Sequence, residues 1–153
     1  MPDYDARIVV SIPDSTGSSP GPVQTWLPVI GGAGGESGQV YHYQSGSYRI
    51  SNGVMHLWGY IQFRDFGTIV GTLVLKGLPK PIAMIPHFVG GMSSYFSNVH
   101  PNSPVQIWFR GSGGSSFFWM DGEPLRGNNP IPMTVDDINP ATQIIFYLCY
   151  PVD

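Results

Sequence analysis

At 153 residues, 42% of them hydrophobic, the chain is long enough to bury a core as one domain without help from a disulfide or a metal. Only 11% of the residues are charged, the net charge is -3, and the seven Lys and Arg are scattered, which excludes a basic field for nucleic acid. Cys149 is the single cysteine, so an intrachain disulfide and a cysteine-based zinc site are excluded, and the thiol reads as a small buried hydrophobe.

Residues 1–23 read as an extended N-terminal arm and linker, and 24–153 as a head domain. The arm lacks the basic start and unbroken apolar core of a secretory leader, and no apolar run approaches the roughly 20 residues of a membrane span. A protein made in the cytoplasm, without export or membrane insertion, is the expectation. Ile8, Val9, Val10 and Ile12 form a β-branched stretch that is apolar on both faces. It either packs on its own body or adds to a neighbour's sheet edge, where its backbone groups would be paired. Pro13 to Pro22, dense in Pro, Gly and Ser, separates it from the head.

In the head, the prolines and glycines interrupt every window before an apolar 3.6 period can run three turns, so an all-β fold is expected. Strands are predicted over Trp26–Ile30, Val40–Gln44, Gly46–Ser51, Val54–Arg64, Gly67–Lys76, Ala83–Gly90, Val105–Phe109, Ser116–Met120 and Thr142–Tyr150. Asn52-Gly53 is a strong hairpin signal, because a two-residue type I′ turn needs positive φ at both central positions. Short strands at this spacing predict an antiparallel, jelly-roll-like β-sandwich.

Within Val54–Arg64, Met55, Leu57, Ile61 and Phe63 share one face, which belongs in a core. Trp58 and Tyr60 then point outward, toward a partner or toward another layer of the same sandwich. The last strand is apolar on both faces, with Ile144, Phe146, Leu148 and Tyr150 on one side and Ile145, Tyr147 and Cys149 on the other. Since a strand of an antiparallel sandwich normally keeps one wet face, a second subunit is expected against one of them.

Chemistry is sparse. His42, His56, His87 and His100 show no metal-ligand spacing, and Asp136, Asp137 and Asn139 read as a turn rather than a calcium loop. Gly31 to Gly35 has glycines without a phosphate-loop register, and reads as a flexible loop. Gly111 to Ser116 has serines without a nucleophile elbow. No catalytic residue, metal site or cofactor is expected, and the chain does not read as an enzyme.

The run from Thr25 to Pro79 orders Trp26-Leu27-Pro28, a Gly-Gly run, Tyr41-x-x-Gln44-x-Gly46-x-Tyr48, the Asn52-Gly53 turn, Trp58-Gly59-Tyr60 and Gly77-Leu78-Pro79. In this it resembles the head modules of bacteriophage virion proteins, found at tail-fibre tips and on capsid surfaces. The ending Phe146-Tyr147-Leu148-Cys149-Tyr150-Pro151-Val152-Asp153 is similar to the last strand of the complement and tumour-necrosis-factor-like globular heads. The resemblances imply a homotrimer around an aromatic-lined axis, with Trp58, Tyr60, Ile144, Phe146, Leu148 and Tyr150 at the subunit interface. They also imply a place on the virion. As a capsid decoration (cement) protein the chain would anchor on the major capsid protein or another virion protein through Ile8, Val9, Val10 and Ile12. As a tail-fibre tip it would bind a host surface receptor, a glycan or protein, through its loops. The short arm, in place of a shaft, favours decoration.

Overall fold

The computed structural model describes residues 21–99, 106–123 and 129–153. The arm residues Ile8, Val9, Val10 and Ile12 lie outside them. The described chain is all-β and antiparallel. Its strands are β1 (Gln24–Trp26), β2 (Val29–Gly32), β3 (Gly35–Ser37), β4 (Val40–Ser51), β5 (Val54–Asp65), β6 (Thr68–Val70), β7 (Leu73–Lys76), β8 (Phe88–Val99), β9 (Gln106–Ser112), β10 (Phe118–Glu123), β11 (Ile131–Pro132) and β12 (Ile138–Pro151). One sheet runs in the order β1-β4-β5-β12-β8-β9-β10-β7-β2, with β11 added to β10, while β3 and β6 form a small separate ladder.

Local sequence accounts for the central hairpin. Asn52 and Gly53 take φ of 51° and 71°, the left-handed values that a tight turn between twisted strands requires. From that turn β4 and β5 pair without interruption from Ser51↔Val54 to Tyr43↔Gln62. The two strands predicted over 40–51 are therefore one, because Gly46 and its neighbours stay extended. Elsewhere the predicted run 67–76 is split into β6 and β7, and the one predicted over 83–90 begins only at Phe88 and continues to Val99. The glycines expected to form a flexible loop are partly ladder residues, with Gly31 and Gly32 in β2 and Gly35 in β3. Around Asp136 the expected turn is present as a 3-10 turn at Val135–Asp137, where Asp137 Oδ2 accepts from the Thr134 backbone N–H at 2.7 Å.

The predicted strand Trp26–Ile30 is broken at Leu27-Pro28, and the break shapes the molecule. β1 and β2 are two residues apart in the chain yet lie at opposite ends of the sheet. That is geometrically possible only if the sheet curls until its edges approach, giving a half-barrel whose two wings face each other as in a sandwich. Side chains complete the closure: Gln39 Nε2 donates to the Ile30 carbonyl, and Gln44 Nε2 donates to the Pro28 carbonyl at 2.9 Å. Tyr41 lies at the same seam, its hydroxyl 3.5 Å from the Ile30 carbonyl. Burial pushes its phenol up to about 12, Glu36 adding to the rise and the Ile30 contact opposing it.

Curling also decides what is inside. The even residues of β12 point into the core, with Ile144 and Leu148 at 0% and Phe146 and Tyr150 at 1% exposure. Phe146 meets Phe109 of β9 with ring centroids 5.1 Å apart, and Trp26 of β1 edge-on at 6.3 Å. Tyr150 meets Phe118 of β10 at 5.4 Å, across two intervening strands. The expectation that Ile144, Phe146, Leu148 and Tyr150 line a subunit interface is thus corrected, because the chain's own opposite wing covers them. Cys149 is likewise not buried but exposed, on the outward side of β12.

Candidate interaction face

With the even residues of β12 turned inward, strand alternation sets the outward face of the same sheet. Cross-strand register aligns one row across six strands: Ser47, Trp58, Tyr147, Met92, Trp108 and Asp121 on β4, β5, β12, β8, β9 and β10. Five steps of ~4.8 Å make this row about 24 Å long. Tyr60 and Ile145 pair directly in the next row, with Tyr95 opposite Ile145. Trp58 is 37% exposed, Ile145 39%, Tyr147 40%, Met92 46% and Tyr95 49%. Large apolar side chains in such numbers on one face form a contiguous patch, the kind of surface that a monomer seldom leaves to water.

The rings on this face are held by specific partners. Trp58 sits 5.4 Å from the Tyr147 ring, and the Arg49 guanidinium carbon lies 5.9 Å from the Trp58 centroid. His56 Nδ1 and the Tyr147 hydroxyl share a hydrogen bond of 2.7 Å, and the two rings are nearly parallel. Tyr43 stacks on Tyr60 at 5.6 Å. From beneath, Trp26 Nε1 donates to the Trp58 carbonyl at 3.1 Å, so the core tryptophan fixes the backbone that carries the surface one. Close packing under the patch explains its glycines. A Cβ at Gly59 would lie 2.2 Å from Phe146 Cζ, and one at Gly46 would lie 2.3 Å from Trp26 Nε1.

Among the described residues, hollows interrupt the face. A groove of about 430 Å³ is lined by Ser45, Ser47, Trp58, Tyr60, Ser94 and Tyr147 among others. A second, of about 510 Å³, lies over β8, β9 and β10. Among the described residues no group of three or more His, Cys, Asp or Glu is placed to hold a metal ion.

Of the residues expected at an interface, Trp58 and Tyr60 are on this face and paired with Tyr147 and Ile145. The other four are not. Ile145 and Tyr147 take their place, and Met92 and Tyr95 join them from β8, a strand whose polar and glycine-rich sequence gave no alternation to read. No family model, no curated protein and no solved structure matches this chain.

Proposed function

We propose that this chain is a non-enzymatic structural protein of a bacteriophage virion, a homotrimeric decoration (cement) protein that steadies the capsid shell. The observation that carries the assembly reading is the exposed row Trp58–Tyr147–Met92, backed by Tyr60, Ile145 and Tyr95. Burying such a patch against copies of the chain releases water from large, already ordered rings, which costs little side-chain entropy relative to the apolar area gained. The charge-poor composition fits the same use, since few ionic groups need to be desolvated. The place on a virion rests on the likeness of the run Thr25 to Pro79 to virion head modules, and the anchoring role of Ile8, Val9, Val10 and Ile12 rests on their two-faced apolar pattern.

Sedimentation of the full chain is expected to return three times its 16.7 kDa mass, and Tyr147→Asp is expected to give monomers with unchanged circular dichroism. A monodisperse wild-type monomer at micromolar concentration would refute the assembly reading. The virion reading is tested separately, by adding full-length protein and a form lacking residues 1–20 to particles without it. Full-length protein should occupy the shell and protect it from heat, while the truncated trimer should do neither. Equal occupancy by both would remove the arm as the anchor.

A further inference from the structure

The groove over β8, β9 and β10 has a composition that self-association does not explain. Phe88, 67% exposed, Trp108, Pro130, Gly90 and Gly91 are among the residues that wall it. The outward position at Gly90 is bare for a packing reason, since a Cβ there would lie 1.7 Å from the Phe109 carbonyl oxygen. Trp108 is fixed by its indole N–H, which donates to Glu123 Oε2 at 2.9 Å, so it has no polar need of its own left to meet.

Between these walls lies a carboxylate with an unfinished hydrogen-bond set. Asp121 is 3% exposed, and its Oδ2 accepts from Arg110 Nε at 2.9 Å. Its Oδ1 has no partner among the described residues. Buried carboxylate oxygens are ordinarily satisfied, and one that is not has room for a further donor. Arg110 reaches over the Phe88 ring, its guanidinium carbon 5.3 Å from the centroid, and its side chain is 45% exposed. Donor and acceptor thus lie side by side in a groove that is otherwise apolar.

We propose that this groove binds a saccharide ring, its C–H face against Trp108 and Phe88 and two neighbouring hydroxyls on Asp121 and Arg110. The ion pair leaves the hollow without net charge, so it offers nothing to a phosphate that Asp121 would not also repel. A purely apolar ligand would leave Oδ1 unsatisfied. An extended peptide would find no free ladder groups alongside Gly90 and Gly91, because β8 is paired on one side with β12 and on the other with β9. The volume of about 510 Å³ falls in the ~300–1,000 Å³ range of small-molecule sites. Oδ1 lies below the water-accessible surface, so binding includes a side-chain adjustment, for which Arg110 is the exposed member of the pair.

The test is a titration of the isotope-labelled full chain with the methyl glycosides of glucose, galactose, mannose and N-acetylglucosamine, followed by amide and indole NMR, with glycerol as the control polyol. At least one glycoside is expected to shift the Trp108 indole and the Gly90 and Gly91 amides in a saturable manner at millimolar concentration. Phe88→Ala, at an exposed position that leaves the fold intact, should weaken that binding about tenfold or more, as should Asp121→Asn. The proposal is overturned if no glycoside moves these signals, if glycerol moves them equally, or if Phe88→Ala binds as wild type. Sedimentation reads the oligomer independently, so failure here leaves the assembly proposal standing, and the reverse holds too.

Discussion

Phe146 and Tyr147 are neighbours in sequence on opposite sides of one sheet, and replacing each in turn separates folding from assembly. Phe146 is 1% exposed, packed between Phe109 and Trp26 and directly beneath Gly59. Truncating it to Ala removes a ring from a site ringed by other aromatics that cannot collapse onto the space, a change that costs about 3–5 kcal/mol. Against a total stability of about 5–15 kcal/mol this is a large share. For a chain of this length it lowers the melting temperature by about 6–20 °C. Tyr147→Asp loses two exposed ring contacts, with Trp58 and His56, and one exposed hydrogen bond with His56, a fold cost of about 1 kcal/mol. Its effect should fall on the oligomer. Thermal and urea unfolding at several protein concentrations, beside sedimentation, reads both. If Phe146→Ala melted within two or three degrees of wild type while the oligomer fell apart, the even side of β12 would be the contact surface and the inward packing described above would be refuted.

Gly59→Ala should destabilise the fold by about 1–3 kcal/mol, because the new methyl group meets Phe146 Cζ. In a Phe146→Leu background the penalty should shrink, and additive losses in urea unfolding would show that the two positions do not touch. Tyr41 and Tyr150 both have phenols raised by burial, Tyr41 to about 12. Each folded value is above the unfolded one near 10, so the folded state holds more protons than the unfolded state above that pH. Their contribution is complete below pH ~10 and is lost as pH rises through the folded values. Absorbance at alkaline pH should show two tyrosines ionising late, together with a falling melting temperature. Ionisation of all eight tyrosines near pH ~10 with the fold intact would contradict the burial of these two.

Sequence alone determined the features that depend on near neighbours. Asn52-Gly53 dictated its turn because few residue pairs accept positive φ, and β5 dictated its own orientation because one of its faces is continuous in Met55, Leu57, Ile61 and Phe63. With that face inward, Trp58 and Tyr60 had to point out. The all-β class followed from prolines and glycines that no helix could absorb. What sequence left open was everything set by contacts between distant strands. β12 is apolar on both sides, so no pattern within it says which side is core. The choice fell to Ile144, Phe146, Leu148 and Tyr150 because the curled wing brings Phe109, Phe118 and Trp26 onto that side. The continuation of β8 past Gly90 was hidden for a related reason, since Gly90 and Gly91 sit where neighbouring backbone comes too close for a side chain, and glycines beside serines read as loop. The hollow at Trp108, Arg110 and Asp121 belongs to the same class of fact. Its members sit on two strands and meet only because β9 and β10 pair in the register that sets Trp108 opposite Asp121.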